Sequence, residues 1–137
     1  MTAQAFVDSN ILLYAISEDP SEARKTEIAT ELLRRGDIGL STQVLQEFHV
    51  NATRKAKGRL PIEKAIAYLD LWSEFMILPV TAEIVREALH ISHRHQLSYW
   101  DAAIIAAAQS LKATTLFTED LQHGQRFGGV RVVNPFK

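Results

Sequence analysis

Residues 4–16, with the sequence QAFVDSNILLYAI, decide the fold of this chain. The short apolar run from Gln4 to Val7 predicts a buried strand that ends at Asp8. The apolar stretch from Ile11 to Ile16 then predicts one or two turns of helix. A strand followed directly by a helix is the first half of a βαβ unit, so the same alternation is expected further along the chain.

That alternation continues to the end of the sequence. Asp19-Pro20-Ser21-Glu22 predicts the capped start of a second helix, with Glu22 at the capping-box position, and Gly36 predicts its end. Further strands are predicted over residues 38–41, 75–78, 115–118 and 130–133, and further helices over residues 42–57, 61–73, 81–95 and 98–111. The helix over residues 81–95 is predicted to have one apolar side: Ile84, Val85, Ala88, Leu89 and Ile91. Such alternation implies right-handed crossovers, and therefore an α/β fold whose mostly parallel sheet carries helices on both faces.

Composition limits the class of protein. The 137 residues fit one domain, residues 1–137, and the 47% hydrophobic and 23% charged residues are typical of a globular chain. The absence of cysteine excludes a disulfide framework, a thiolate zinc site and a thiol nucleophile. No signal peptide is recognised at the N-terminus, and the longest apolar run, residues 102–111, is about half of a membrane span. We therefore expect a cytoplasmic protein with no membrane partner.

Four of the 16 acidic residues are placed differently from the rest, which cap helices or lie on their solvated faces. Asp8 and Asp120 each follow a predicted strand, and parallel sheets bind ligands at the carboxyl ends of their strands. Glu47 lies in a polar helical stripe with Gln43 and Asn51, and Asp101 lies in the first turn of a very apolar helix. Each also has a simpler explanation: Asp8, Asp101 and Asp120 could cap helices, and Glu47 could be an exposed helical glutamate. Glu119 competes with Asp120 for the same role.

Together these acids predict a metal site. Several carboxylates at one sheet edge repel one another, and a divalent cation removes that conflict. Carboxylates without cysteine select hard cations, so Mg²⁺ is expected, with Mn²⁺ as an alternative. A zinc site is disfavoured because only His90 and His93 share a helical face. A serine nucleophile is disfavoured because neither Ser9 nor Ser41 lies in a nucleophile-elbow pattern.

Four segments resemble the motifs of the PIN domain, in order and at the expected separations: residues 6–10 (FVDSN), 43–48 (QVLQEF), 98–104 (SYWDAAI) and 117–124 (FTEDLQHG). The ending VVNPF (residues 132–136) resembles the VapC toxin branch of that family. The resemblance covers essentially the whole chain. It implies a three-layer α/β/α sandwich and a Mg²⁺-dependent endoribonuclease that acts on single strands as the toxin of a toxin–antitoxin pair.

The resemblance also assigns roles to residues. The family's four acidic positions fall on Asp8, Glu47, Asp101 and Asp120, of which Asp8 and Asp101 are the surest metal ligands. Its polar helper positions fall on Asn10 and Thr118. An antitoxin that occludes the site and a toxin homodimer are implied by the resemblance alone.

An RNA substrate needs phosphate contacts, and the net charge of -1 gives no overall basic signal. The densest cationic patch predicts an RNA-binding segment: Arg54, Lys55, Lys57 and Arg59. A basic helix C-terminus favoured by the helix dipole explains the same patch equally well. Tyr99 and Trp100 could stack on unpaired bases, although at least one of them is expected to pack in the core.

Three other functions are weighed against the toxin. A PIN nuclease could act in RNA maturation or on DNA flaps outside a toxin pair. A degenerate PIN fold could serve only as a binding module, although the presence of all four acids argues against it. A phosphatase or response-regulator domain would need a phospho-acceptor aspartate with a partner lysine at a strand end, and the sequence offers none.

Overall fold

The computed structural model describes residues 1–54 and 59–137. Its strands are β1 (Ala5–Val7), β2 (Ile38–Ser41), β3 (Met76–Leu78), β4 (Thr115–Phe117), β5 (Arg126–Phe127) and β6 (Val130–Val133). Its helices are α1 (Ser9–Ala15), α2 (Ala23–Leu33), α3 (Thr42–Arg54), α4 (Ile62–Trp72), α5 (Ala82–His95) and α6 (Tyr99–Ser110), with a 3₁₀ turn at Pro20–Glu22. In the described part of the chain, every helix is too short or too polar to span a bilayer.

The strands form one sheet in the order β3-β2-β1-β4-β6-β5, parallel except for β5. The chain moves from β1 to β2 to β3 in one direction and then returns across β1 to β4. Right-handed crossovers in opposite directions place their helices on opposite faces, so α1–α4 cover one face and α5–α6 the other. The predicted three-layer α/β/α architecture is confirmed.

The reversal of strand order creates a switch point between β1 and β4. The two strands pair in parallel from Ala5 beside Thr115 to Val7 beside Phe117. The next residue, Asp8, still donates its backbone N–H to the carbonyl of Phe117 at 3.0 Å. The carboxyl ends of the two strands are therefore adjacent, which is the position where open parallel sheets bind ligands.

The core lies between the sheet and its two helical layers. Helix α6 is the most deeply placed element, because every residue from Ala102 to Ala108 is buried. A side chain at Gly39 would lie 2.7 Å from Leu111 and 2.8 Å from Ala3, so only glycine fits in the middle of β2. This close packing fixes α6 against the sheet and sets the position of its first turn, which carries Asp101.

Three predictions of local structure were wrong. Glu22 does not complete a capping box, because its carboxylate accepts the hydroxyl of Ser17 at 2.6 Å and α2 begins only after the 3₁₀ turn. Val85 and Leu89 are exposed, because each follows a buried residue, Ile84 or Ala88, and is rotated by about 100° from it around the helix axis. Asp120 does not cap a helix, because residues 118–125 make bends and turns.

Candidate active site

Asp8 lies at the centre of the candidate site. It follows the fully buried strand β1 and is the N-cap residue of α1, so the capping explanation is correct for this residue. Its Oδ1 accepts the backbone N–H of Ser9 at 2.7 Å, and its Oδ2 accepts the hydroxyl of Thr118 at 2.8 Å. The residue is only 4% exposed, so the carboxylate is held rigidly in a place with little water.

Thr118 and Asn10 connect Asp8 to Asp120. The Thr118 hydroxyl is buried; it donates to Asp8 and accepts the backbone N–H of Asp120 at 3.1 Å. The Asn10 side-chain amide donates to Thr118 Oγ1 at 3.2 Å and to Asp120 Oδ2 at 3.1 Å. Asn10 and Thr118, the predicted helper residues, therefore join the carboxyl ends of β1 and β4. The buried side-chain oxygen of Asn10, Oδ1, has no hydrogen-bond partner among the described residues.

Glu47 is held from both sides. Its Oε1 accepts the hydroxyl of Ser9 at 3.2 Å, and its Oε2 accepts the side-chain amide of Gln43 at 3.1 Å. The same Gln43 nitrogen donates to the carbonyl of Trp100 at 3.1 Å, which ties α3 to the first turn of α6. Glu47 is thus an ordered, half-buried carboxylate rather than a freely exposed one.

Gln43 is the site residue that sequence reasoning missed. It is buried, which is unusual for a glutamine, and both of its contacts involve the site. The polar stripe of Gln43, Glu47 and Asn51 was the available signal. The stripe did not reveal that Gln43 faces inward, because its second partner lies 57 residues further along the chain.

Asp101 lies half-buried in the first turn of α6. The helix is capped by Ser98, whose hydroxyl oxygen accepts the backbone N–H of Asp101 at 3.1 Å. The Asp101 side chain is therefore not needed as the N-cap acceptor. Burial is the main cause that raises the pKa of Asp101, and the negative charge of Asp120 raises it as well. The two carboxylates are therefore close enough to interact.

Glu119 and Asp120 have different surroundings. The carboxylate of Glu119 forms an ion pair with Lys25 at 2.6 Å and accepts the Tyr14 hydroxyl at 2.5 Å. Burial raises the pKa of Glu119, but the bonds from Lys25 and Tyr14 outweigh it and bring the pKa below its usual value. Asp120 instead bonds to Asn10 and interacts with Asp8 and Asp101. Of the two competing acids, Asp120 lies near the site carboxylates Asp8 and Asp101, whereas Glu119 binds Lys25 and so connects the loop after β4 to α2.

Burial and neighbouring negative charges raise the pKa values of the site carboxylates Asp8 and Asp101. Burial raises the pKa of Asp8 from 3.8 to about 7, against the hydrogen bonds from Thr118 and Ser9. The charges of Glu47 and Asp120 raise it further. Burial also raises the pKa of Asp101, while the Ser98 hydroxyl lowers it. A bound cation would reverse these shifts.

The donor set fits a hard divalent cation. Carboxylate oxygens and the free Asn10 Oδ1 are the ligand types that Mg²⁺ prefers, directly or through water. Within residues 1–54 and 59–137, no three acidic or histidine side chains converge closely enough to hold an ion together. Mg²⁺ keeps several of its waters and needs only one or two carboxylates, so the arrangement is compatible with that ion.

The proposed RNA-binding patch is described only in part. Lys55 and Lys57 lie outside the described residues, while Arg54 and Arg59 are exposed. The three α5 histidines are also exposed, and no zinc-type cluster forms in the part of the chain that is described.

Comparisons with known proteins agree with this geometry. The PIN domain model matches residues 5–126. The fold is similar to a toxin–antitoxin complex from Klebsiella pneumoniae (TM-score 0.72, 22% identity, covering 96% of this chain and 97% of that chain). It is also similar to VapC20 from Mycobacterium tuberculosis, a toxin that cleaves the sarcin-ricin loop (TM-score 0.68, 21% identity, 85% and 91% covered). A third similar structure is VapBC2 from Rickettsia felis, bound to a promoter DNA fragment (TM-score 0.62, 22% identity, 93% and 96% covered).

None of the curated protein sequences matches this chain. The family match nevertheless spans β1 to the start of β5 and includes all four acids of the candidate site. This chain belongs to the PIN domain family.

Proposed function

We propose that this protein is a Mg²⁺-dependent endoribonuclease and the toxin component of a type II toxin–antitoxin system, acting in the cytoplasm. The observation that carries the proposal is the buried Asp8, linked through Thr118 and Asn10 to Asp120 at the switch point of the sheet. Burial and the charges of Glu47 and Asp120 disfavour the ionised form of Asp8, and a bound cation would favour it, which supports a metal at this site.

The roles of the side chains follow from their contacts. Asp8 and Asp101 would hold Mg²⁺, or Mn²⁺ in its place, and Asp120 and Glu47 would contact it through waters that the ion keeps. The ion supplies charge that activates a water and stabilises the phosphate during hydrolysis. Thr118 fixes the orientation of Asp8, and Ser9 and Gln43 fix that of Glu47. The Asn10 amide orients Asp120, and Glu47 would orient the attacking water and accept its proton.

The RNA substrate would be held by its phosphates. Arg54 and Arg59 are exposed at the ends of the undescribed segment 55–58, which adds Lys55 and Lys57. Arg54 is the last residue of the helix that carries Glu47, roughly 10 Å beyond that acid along the helix, so a strand bound there would pass near the site.

A groove next to the site supports the proposed antitoxin partner. It has a volume of about 820 Å³ and is lined by Asn10 and Glu119, the neighbours of Asp120 in space and in sequence, so a segment lying in it would reach the border of the site. Its lining includes apolar side chains, acids and bases: Leu13, Ile16, Leu60, Tyr68, Glu18, Glu22, Arg59 and Lys64. An amphipathic helix with charges of both signs would match such walls.

The proposed homodimer would cover apolar surface elsewhere. Exposed apolar side chains lie on α4 and α5: Ile62, Ile66, Val85 and Leu89. Sedimentation velocity of the purified protein is expected to show a dimer, and a monomer at all concentrations would contradict this part of the proposal.

The test of the function is cleavage of a labelled single-stranded RNA by the purified protein. We expect internal cuts with Mg²⁺ or Mn²⁺, none with EDTA, and recovery when the metal is added back. Cleavage of DNA but not RNA would indicate a nuclease of another specificity. Absence of cleavage together with absence of metal binding would indicate a degenerate PIN fold that only binds its partners.

A further inference from the structure

Trp100 is an exposed aromatic side chain beside the acidic site. It is 63% exposed, whereas Trp72, the second tryptophan of the chain, is only 4% exposed. Aromatic side chains have large apolar surfaces that are normally covered. Trp100 immediately precedes Asp101, and its carbonyl accepts the Gln43 amide that also holds Glu47. The residue is therefore fixed next to two of the four acids.

Trp100 is also supported from one side. The ring of Tyr99 meets its ring edge to face, with centroids 5.0 Å apart and an interplanar angle of 78°. Tyr99 itself is half-buried against the core. The bond to Gln43 fixes the backbone of Trp100, and Tyr99 supports one side of its ring; both lower the entropic cost of binding.

The surroundings of Trp100 differ from those of a protein interface. On α6 it is the one exposed large apolar residue, since Ala102 to Ala108 are all buried. The exposed apolar residues of α5 are Val85 and Leu89, and the first half of α5 borders Ala106, Gln109 and Ser110 at the far end of α6. Trp100 instead lies at the start of α6, five residues after the end of α5, whose last turn carries Arg94. An isolated exposed aromatic next to the proposed nuclease site suits the binding of a single-stranded nucleic acid.

We propose that Trp100 is a base-stacking residue that receives an unpaired nucleobase next to the bond that is cleaved. The proposal rests on the ribonuclease function and deepens it. A base in a duplex already stacks on its neighbours, so a tryptophan can receive only a base that is unpaired. Trp100 thereby restricts the substrate to single strands, with little dependence on which base is bound, because every base has an aromatic face.

The two tryptophans allow a direct test. The substitution Trp72→Phe leaves Trp100 as the sole tryptophan, and Asp8→Asn in the same chain prevents cleavage and relieves carboxylate repulsion. A short single-stranded RNA oligonucleotide is expected to quench Trp100 emission as it binds, and the same strand in a duplex or with abasic residues is not.

In otherwise unchanged protein, Trp100→Ala should weaken binding of the single strand by roughly 5- to 150-fold, as expected for one stacked base. Trp100→Phe should lose less, and the matched control Leu71→Ala, at a comparably exposed apolar residue of α4, should bind normally.

Each other outcome has a distinct meaning. If the oligonucleotide binds but emission is unchanged and Trp100→Ala binds normally, the stacking proposal is overturned and the ribonuclease function stands. If no RNA binds and the unsubstituted protein cleaves none, the proposed function itself fails. If emission depends on protein concentration alone and Trp100→Ala reduces the sedimenting mass, a second copy of the chain covers Trp100 and the stacking proposal is overturned.

Discussion

Replacing Asp8 by asparagine should make the metal-free protein more stable at alkaline pH. Burial raises the pKa of Asp8 from 3.8 to about 7. Between these values the folded state binds one proton more than the unfolded state, so the free energy of unfolding falls as the pH rises. The loss begins near the unfolded pKa and is complete once the pH exceeds the folded pKa. At pH 8, therefore, Asp8 destabilises the metal-free fold.

The magnitude follows from the shift and from the bonds of Asp8. With the pKa raised from 3.8 to about 7, Asp8 destabilises the protein by roughly 4 kcal/mol at pH 8 and by roughly 2 kcal/mol at pH 5. Asparagine keeps the acceptor for the Ser9 N–H, but its amide would face a Thr118 hydroxyl that already accepts two hydrogen bonds. That mismatch costs about 1–2 kcal/mol. The net gain is roughly 2–3 kcal/mol at pH 8 and near zero at pH 5.

Thermal melts in EDTA at the two pH values measure this difference. At about 4 °C per kcal/mol for a domain of this size, Asp8→Asn should melt roughly 10 °C above the unsubstituted protein at pH 8 and close to it at pH 5. Asp37→Asn is the matched control. The Arg35 hydrogen bond lowers the pKa of Asp37, so removing that carboxylate should give no gain at pH 8. If Asp8→Asn and the unsubstituted protein lose stability equally between pH 5 and pH 8, the buried-charge reasoning is refuted.

Three other predictions concern neighbouring groups. Gln43→Leu should slow RNA cleavage about tenfold or more, because Glu47 loses a hydrogen bond that orients it. The Tm of this variant should stay within a few degrees of the unsubstituted protein. A normal cleavage rate would show that Gln43 does not position Glu47. Glu119→Gln should lower the free energy of unfolding by up to about 1 kcal/mol through its partly exposed ion pair with Lys25, yet leave Mn²⁺ affinity unchanged in a titration; weakened Mn²⁺ binding would place Glu119 among the ligands. The basic patch consists of Arg54, Lys55, Lys57 and Arg59. Its replacement by alanine should reduce the slope of log affinity against log salt concentration by roughly 0.7 per lost phosphate contact, and an unchanged slope would show that the patch does not bind RNA.

The sequence predicts those parts of the fold that local patterns encode. The runs over residues 38–41 and 130–133 alternate with long helical patterns, and these strands form with the predicted bounds. The two-residue strand β5 was missed because its pairing comes from β6, where Phe127 lies beside Val130. Nothing within residues 126–127 themselves favours a strand.

The candidate site could be predicted only in outline, for the same reason. Placement after strands indicated Asp8 and Asp120, because the carboxyl ends of parallel strands meet at one edge. The sequence could not separate Asp120 from Glu119, since the deciding partner is Lys25, 94 residues earlier.

If Asp8, Glu47, Asp101 and Asp120 form one metal-dependent ribonuclease site, Asp101→Asn should abolish its activity without unfolding the protein. Ser98 caps α6 without the Asp101 carboxylate, so the variant should fold with an unchanged or higher Tm. The measurement is its rate of single-stranded RNA cleavage at saturating Mg²⁺, beside the unsubstituted protein. Groups that merely support metal ligands typically contribute 10- to 100-fold, so loss of a ligand should reduce the rate by at least about 100-fold. If Asp101→Asn cleaves RNA at the normal rate, Asp101 is no part of the chemistry, and the four-carboxylate site proposed for this chain is wrong.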